Sequence, residues 1–153
     1  MIATPHPPDF AALTLRPARL TDAPALANLA TQLGYPSSPS RVEERMTTVL
    51  DDPKHLILAA VSRGRVVGWA HAYVCCLVES DTYVELGGLV VDESHRGKGL
   101  GGKLLEKVED WARQKGCGTI SVRSNVIRHE AYKSCAARGY NQMKTQHAFR
   151  KRQ

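Results

Sequence analysis

Six residues, Gly97-Lys-Gly-Leu-Gly-Gly102, constrain what this chain can fold into more than any other stretch. They lie between the apolar run Leu89, Val90 and Val91 and a segment whose apolar positions Leu100, Leu104, Leu105, Val108, Trp111 and Ala112 keep helical spacing until Gly116. A buried strand must therefore feed a long amphipathic helix through backbone stripped of side chains. Glycines let a ligand reach main-chain amides, a helix start leaves N–H groups without intrahelical partners, and the helix dipole adds partial positive charge there. The combination makes an anion site suited to a pyrophosphate, with Arg96 and Lys98 adding charge beside it.

Around this segment the period changes along the chain. A short strand over 13–19 precedes Thr21-Asp22, which offers a helix N-cap. Leu26, Leu29, Ala30 and Leu33 keep helical spacing until Gly34, a natural stop, and a second helix over 40–50 puts Val42, Met46, Val49 and Leu50 on one face. Residues 56–62 and 65–76 are β-rich and joined by Arg63-Gly64, the signature of a tight hairpin. A polar loop around Glu79, Ser80 and Asp81 leads into a strand over 82–91, where Gly87-Gly88 predicts a bulge or a close backbone approach. After the helix over 99–115 come a strand over 119–123, a shorter helix over 128–138 ending at Gly139, and a last strand over 143–150. This is a mixed α/β plan, one domain over 13–153 behind a disordered leader over 1–12.

The 153 residues have the length of one domain with a real core. The start carries three prolines in nine residues and lacks the basic and apolar regions of a signal peptide, which predicts a cytoplasmic protein. No apolar run approaches the roughly 20 residues that cross a bilayer, so no membrane partner is expected. The net charge of +6 is spread along the chain apart from Arg150-Lys151-Arg152, and it suits an anionic cofactor as well as a nucleic acid; the reading taken is no nucleic acid. Cys75, Cys76, Cys117 and Cys135 have no C-x-x-C pairing and no nearby histidine in ligand spacing, so they read as reduced thiols and no metal is implied.

Gly97-x-Gly99-x-x-Gly102 also spells the dinucleotide fingerprint. Three features count against that reading. The stretch 92–96 separates the strand from the first glycine, a hairpin precedes it rather than a βαβ unit, and the next strand ends in Arg123-Ser-Asn125 with no acidic residue for a ribose. No Gly-Lys-Ser/Thr follows, so it is not a Walker A loop, and a glycine-rich turn with no ligand is the plain structural alternative.

Arg96-x-x-Gly99-x-Gly101 after the strand Leu89-Val-Val resembles the acetyl-CoA signature of the GNAT acetyltransferases. Leu15-Arg-Pro-Ala18 with Thr21-Asp22 resembles their opening, and Asn125-Val-x-Arg-His-Glu-Ala131 with Gly139-Tyr140 resembles their second conserved block, particularly in a branch containing aminoalkylphosphonate acetyltransferases. The resemblance implies an acetyl-CoA-dependent N-acetyltransferase. Its fold would be a central mixed, mostly antiparallel sheet of about six to seven strands flanked by about four helices, splayed between the strands at 85–91 and 119–124. It further implies that Leu89, Val90 and Val91 pair with the pantetheine arm like an added strand. Arg96, Gly97, Lys98, Gly99, Leu100, Gly101, Gly102 and Lys103 would form the pyrophosphate turn, with Asn125 beside the cofactor's arm. Members are commonly dimers, so the resemblance allows a homodimer.

Transfer to an amine needs a neutral nucleophile, whereas an alkylamine has a pKa of roughly 10. A base would help at neutral pH, and Glu85, in the strand leading to Gly87-Gly88, is the candidate. Glu79 and Asp81, in the preceding loop, are the alternative bases or would instead hold a cationic small-molecule amine. Related enzymes often protonate the departing thiolate with a tyrosine four residues before the glycine of the Gly-aromatic pair; here that position is Cys135, with Tyr132 one turn earlier on the same helix face. The missing tyrosine keeps open a non-catalytic acyl-CoA-binding module as the rival to an enzyme.

Overall fold

The computed structural model describes residues 12–123 and 135–153. They fall into two compact units, one ending at Val122 and the other starting at Arg123.

In the first unit, strand β1 (Leu13–Pro17) precedes helices α1 (Ala23–Leu33) and α2 (Pro39–Val49). Strands β2 (His55–Ser62), β3 (Arg65–Leu77) and β4 (Ser80–Val91), helix α3 (Leu100–Gln114) and strand β5 (Ile120–Val122) follow. The strands lie in sequence order, antiparallel from β1 to β4, with β5 parallel to β4. Punctuation residues explain these bounds. Arg63 (φ 50°) and Gly64 (φ 76°) are both left-handed, as a two-residue hairpin joining β2 and β3 requires. α1 ends at Gly34 (φ 97°), with Gly34 N–H on the Thr31 carbonyl and Tyr35 N–H on that of Ala30. α3 repeats the pattern at Gly116 (φ 75°) and Cys117. Both are Schellman ends.

Alternation along the strands sends residues to opposite faces. On one face Ile57 and Ala59 pack with Ala18, Ala23, Leu26 and Met46 beneath α1 and α2, with Trp69 at the margin. The other face receives α3. Gly68 has no side chain there, and a Cβ on it would already lie 3.5 and 3.6 Å from the side chains of Leu104 and Leu100. Leu104 and Val108 are fully enclosed.

Thr21-Asp22 does not cap α1 as expected. Asp22 stands at the N-cap position, but its side chain turns back to accept both Arg16 guanidinium N–H groups (2.7 and 2.9 Å) and the Arg19 amide (2.8 Å). A bidentate arginine with a backbone donor outweighs one capping bond. The Arg16 bond, more than burial opposes it, holds the Asp22 carboxyl below the usual carboxylate range. The polar loop expected around 79–81 is a two-residue turn, because the ladder continues to a Leu77–Ser80 pair and leaves only Val78 and Glu79 outside strands.

The sheet has five strands among the described residues, fewer than the six to seven expected. The second unit accounts for one of them. Residues 135–137 form a helical turn closed by Gly139 (φ 85°) and by Tyr140 N–H on the Cys135 carbonyl, but 140–153 take neither helix nor strand. The expected strand over 143–150 has only Met143 and Phe149 as large apolar residues, 88% and 95% exposed, too little apolar face to hold a strand in place.

Asp22 is buried. Asp22→Asn leaves the Arg16 charge without its partner and is expected to destabilise the first unit by about 3 kcal/mol, read as a lower urea midpoint with unchanged slope. An unchanged midpoint refutes this account of the β1–α1 junction.

Candidate active site

β4 changes character at Gly87. His71 of β3 pairs with Gly88 and Ala72 pairs with Leu86, so Gly87 is an extra residue with no cross-strand partner. Both glycines let an aromatic ring of β3 approach closely, Gly88 more tightly than Gly87. A Cβ on Gly88 would come within 2.9 Å of the Trp69 indole, and one on Gly87 within 3.3 Å of the Tyr73 ring. The bulge and the close approach predicted for this dipeptide are therefore both present, the approaching groups being aromatic rings of β3.

On the other side of β4, β5 pairs only at Val84–Ile120, Glu85–Ser121 and Leu86–Val122. Pairing stops one residue before the bulge. Beyond it Leu89, Val90 and Val91 remain bonded to Ala70, Trp69 and Gly68, while no described strand covers their second edge. This is the expected splay, and it exposes main-chain donors and acceptors to an extended ligand.

The chain then turns through a 3-10 segment (Glu93–His95) into 96–99. Gly97 (φ 77°) and Gly99 (φ 80°) are left-handed, with open space where a Cβ would stand, and Gly99 is the N-cap of α3 without a side-chain cap. The first helical bond at that end runs from Lys103 N–H to the Gly99 carbonyl, so the Leu100, Gly101 and Gly102 amides precede the intrahelical ladder. Gly101 rests on Leu89 and Val91, which sets the helix start against the open edge of β4. Arg96, Gly97, Lys98, Gly99 and Lys103 are exposed, and Arg96 is oriented by donating Nε–H to the Val91 carbonyl at 2.9 Å. The strand edge and the helix start thus form one continuous polar surface of backbone.

Glu85, only 3% exposed, sits between Tyr73 and Ser121 in register, two residues before the bulge. Tyr73 shares its face and stacks on His55 with ring centroids 5.6 Å apart; His55 Nδ1 and His71 Nε2 are hydrogen-bonded at 2.9 Å. Two imidazoles so close need one donor and one acceptor nitrogen. Burial, aided by His55, pushes His71 down to about 4, so it is neutral at physiological pH. Glu79 and Asp81 are exposed at the hairpin tip. Asp81 is four strand residues from Glu85, about 13 Å. The structure therefore does not bring these two carboxylates together with Glu85. Asn125 and Tyr132 lie outside the described residues; Cys135 belongs to the second unit, where burial raises its thiol above the usual range.

Residues 23–137 match the acetyltransferase (GNAT) family. The chain belongs to that family. It is an acetyl-CoA-dependent N-acetyltransferase, transferring the acetyl group to an amine. It is 32% identical over 130 residues to aminoglycoside N(6')-acetyltransferase type 1 of Stenotrophomonas maltophilia, covering 80% of this chain and 84% of that one. Its fold is similar to that of the aminoglycoside N-acetyltransferase AAC(6')-Iy in complex with CoA (TM-score 0.81, 22% identity, 92% and 95% of the chains covered). It is also similar to that of the aminoglycoside 6'-N-acetyltransferase AAC(6')-Ig of Acinetobacter haemolyticus (TM-score 0.78, 19% identity, 91% and 98% covered). Among the described residues no group of three or more His, Cys, Asp or Glu is placed to hold a metal, and no helix is long and apolar enough to cross a membrane.

Sequence reasoning missed four polar residues that the fold gathers beside β4 and the turn after it. His71 and Tyr73, alternate positions in an otherwise apolar strand, carried a faint signal of a polar face; His55 and Gln32 carried none, since each meets its partner only through the fold.

The His71 shift has a consequence for stability. An unfolded histidine titrates near 6.5, so as pH falls from about 6.5 to about 4 the unfolded chain binds the proton first and stability declines. Thermal midpoints measured across this window should fall on acidification, and His71→Asn should flatten the decline. A variant with the wild-type slope would show that His71 is not responsible.

Proposed function

We propose that the chain transfers the acetyl group of acetyl-CoA to a primary amine of a small cationic molecule by direct attack, without a covalent enzyme intermediate. The observation that carries this reading is the end of β4–β5 pairing at Leu86, which puts an open strand edge, a bulge and a buried carboxylate within three residues of each other. Acetyl-CoA supplies the activated acetyl group. The residues present fit it: Leu89, Val90 and Val91 offer an unpaired edge to an extended arm, and the amides of 96–102 offer a helix start to a pyrophosphate. Arg96, Lys98 and Lys103 add charge whose attraction for an anion is greatest at low salt.

In this reading Glu85 takes a proton from the incoming ammonium, directly or through water, so that attack is by the neutral amine. Burial of Glu85 keeps the carboxylate away from competing solvent, and the main chain at the bulge polarises the thioester carbonyl. Glu79 and Asp81 hold the positive acceptor from the hairpin tip, and Asn125 lies by the cofactor's arm. Tyr132 is the acid for the departing thiolate, with Cys135 as the lesser alternative, since its thiol ends close to the helix. The family match runs across both units, which supports one domain over 13–153. For the acceptor, the aminoglycoside enzymes among the relatives favour an amine on an aminosugar; an aminoalkylphosphonate, suggested by the block at 125–131, is the competing small amine. A panel of both, with polyamines and peptides, assayed by thiol release, decides the class.

Two substitutions test the site. Gly99→Val forces a β-branched residue into left-handed backbone at the helix start. It should weaken CoA binding at least tenfold by calorimetry while the fold persists; unchanged affinity would put the cofactor elsewhere. Glu85→Gln should lower the rate on the order of 10²-fold at neutral pH and recover partly in alkali, where the amine deprotonates unaided. A mutant-to-wild-type ratio flat across pH sinks the base assignment.

A further inference from the structure

The turn at 96–99 is held by very little of its own. Nothing packs within 4 Å of a Cβ position at Gly97 or Gly99, and Arg96, Lys98 and Gly99 are exposed. Its course is therefore set from its two ends. The downstream end is the buried Leu100 of α3. The upstream end is Asp92 and Glu93, and there a residue from the far side of the sequence intervenes.

Gln32, in the last turn of α1, donates from Nε2 to Asp92 Oδ1 at 3.0 Å and accepts the Glu93 amide N–H on Oε1 at 3.1 Å. Sixty residues of chain separate these groups. The carboxamide can sit only one way round, because a flipped amide would set NH2 against the Glu93 N–H and its oxygen against the carboxylate. The other bonds at this point are local to the sheet or the turn. Asp92 N–H bonds the Val67 carbonyl at 2.8 Å, Ser94 Oγ donates to Asp92 Oδ2 at 2.7 Å, and His95 N–H bonds the Asp92 carbonyl at 2.8 Å. Among these partners of Asp92 and Glu93, Gln32 is the one that comes from another layer of the fold. Its place is fixed in turn by the Schellman end two residues later at Gly34.

We infer that Gln32 is a positioning residue that fixes the entry to the cofactor turn from α1, and so sets the affinity for acetyl-CoA without touching it. The inference rests on the reading of 96–102 as the pyrophosphate site. The carboxamide does two jobs. It anchors the Glu93 amide from which the 3-10 segment departs, and it holds Oδ1 of Asp92, whose other oxygen is held only from within the turn by Ser94. A ligand gripping amides of 96–102 needs those amides already aimed. Without Gln32 the turn samples other paths, and ordering it is charged against binding.

The test uses the full chain, CoA calorimetry, and steady-state rates with an amine confirmed as acceptor. Loss of two hydrogen bonds, one of them to a carboxylate, should weaken binding by roughly five- to thirtyfold. Gln32→Leu should raise the CoA dissociation constant and the KM for acetyl-CoA by that factor, with kcat and the amine KM within about twofold of wild type. Gln32→Glu, which sets a carboxylate against Asp92, should lose at least as much. Asp92→Asn combined with Gln32→Glu should return the affinity to within about twofold. In that pair the carboxylate introduced at position 32 accepts from both the side-chain amide introduced at position 92 and the Glu93 N–H. A general packing defect would not be rescued by that exchange of charge. Should Gln32→Leu fail to fold, the Gln32→Glu variant and its rescue carry the test. Wild-type binding with no loss in either single variant, or a double variant as weak as Gln32→Glu, overturns the inference alone. A wild-type chain that does not bind CoA overturns the reading of the site and the inference with it.

Discussion

β4 has to satisfy two partners whose demands differ, and the site depends on how it does so. Against β3 it runs antiparallel along nearly its whole length; against β5 it runs parallel for three residues. The extra residue at Gly87 falls directly after the last parallel pair. A bulge bends and twists the strand that carries it, so the end of β4–β5 pairing coincides with a change in the course of β4 itself. What the bulge requires is room on the β3 side, where the rings of Trp69 and Tyr73 press on positions that have no side chains. Any larger residue at 88 would meet an indole, which couples the aromatic face of β3 to the geometry of the opening.

The two faces of the sheet contribute differently. α3 packs over Gly68 and brings its N-terminus to Leu89 and Val91, so the anion-binding helix start is positioned by core packing at Leu100, Leu104 and Val108. α1 and α2 pack on the opposite face, above Ile57, Ala59 and Trp69, and His55, His71, Tyr73 and Glu85 continue that face past the core. The surface at 89–91 and the face around Glu85 therefore meet only at β4. Burial, aided by His55, holds His71 neutral down to about pH 4, so at physiological pH this ring adds no positive charge to the face that carries Glu85.

Much of this was legible in the sequence where a residue type answers a local backbone need. Gly34, Gly64 and Gly116 each sit at a left-handed φ and each marked an element boundary. Gly87-Gly88 announced the bulge, and the helical spacing from Leu100 to Ala112 announced α3. The failures share one cause. Asp22 was assigned by its local capping preference, yet Arg16, six residues earlier, offered more. The stretch 143–150 alternates well enough to suggest a strand but carries too little apolar surface to be held in one.

The same distinction separates what could be read about the two substrates. In the proposed site acetyl-CoA is met mainly by main chain: a strand edge that no described strand covers and the amides of a helix start. Main-chain recognition leaves a mark in sequence, because it needs glycines where a Cβ would intrude and a particular order of strand, turn and helix. The proposed acceptor face is built of side chains, and these are gathered from separate strands. His55 and His71 are 16 residues apart and bonded; Tyr73 opposes Glu85 across a register that only the hairpin sets. Nothing local distinguishes such residues from any other polar position on a strand. A sequence can thus announce a glycine-marked helix start through six residues, while the polar face around Glu85 is defined only once β2, β3 and β4 have paired.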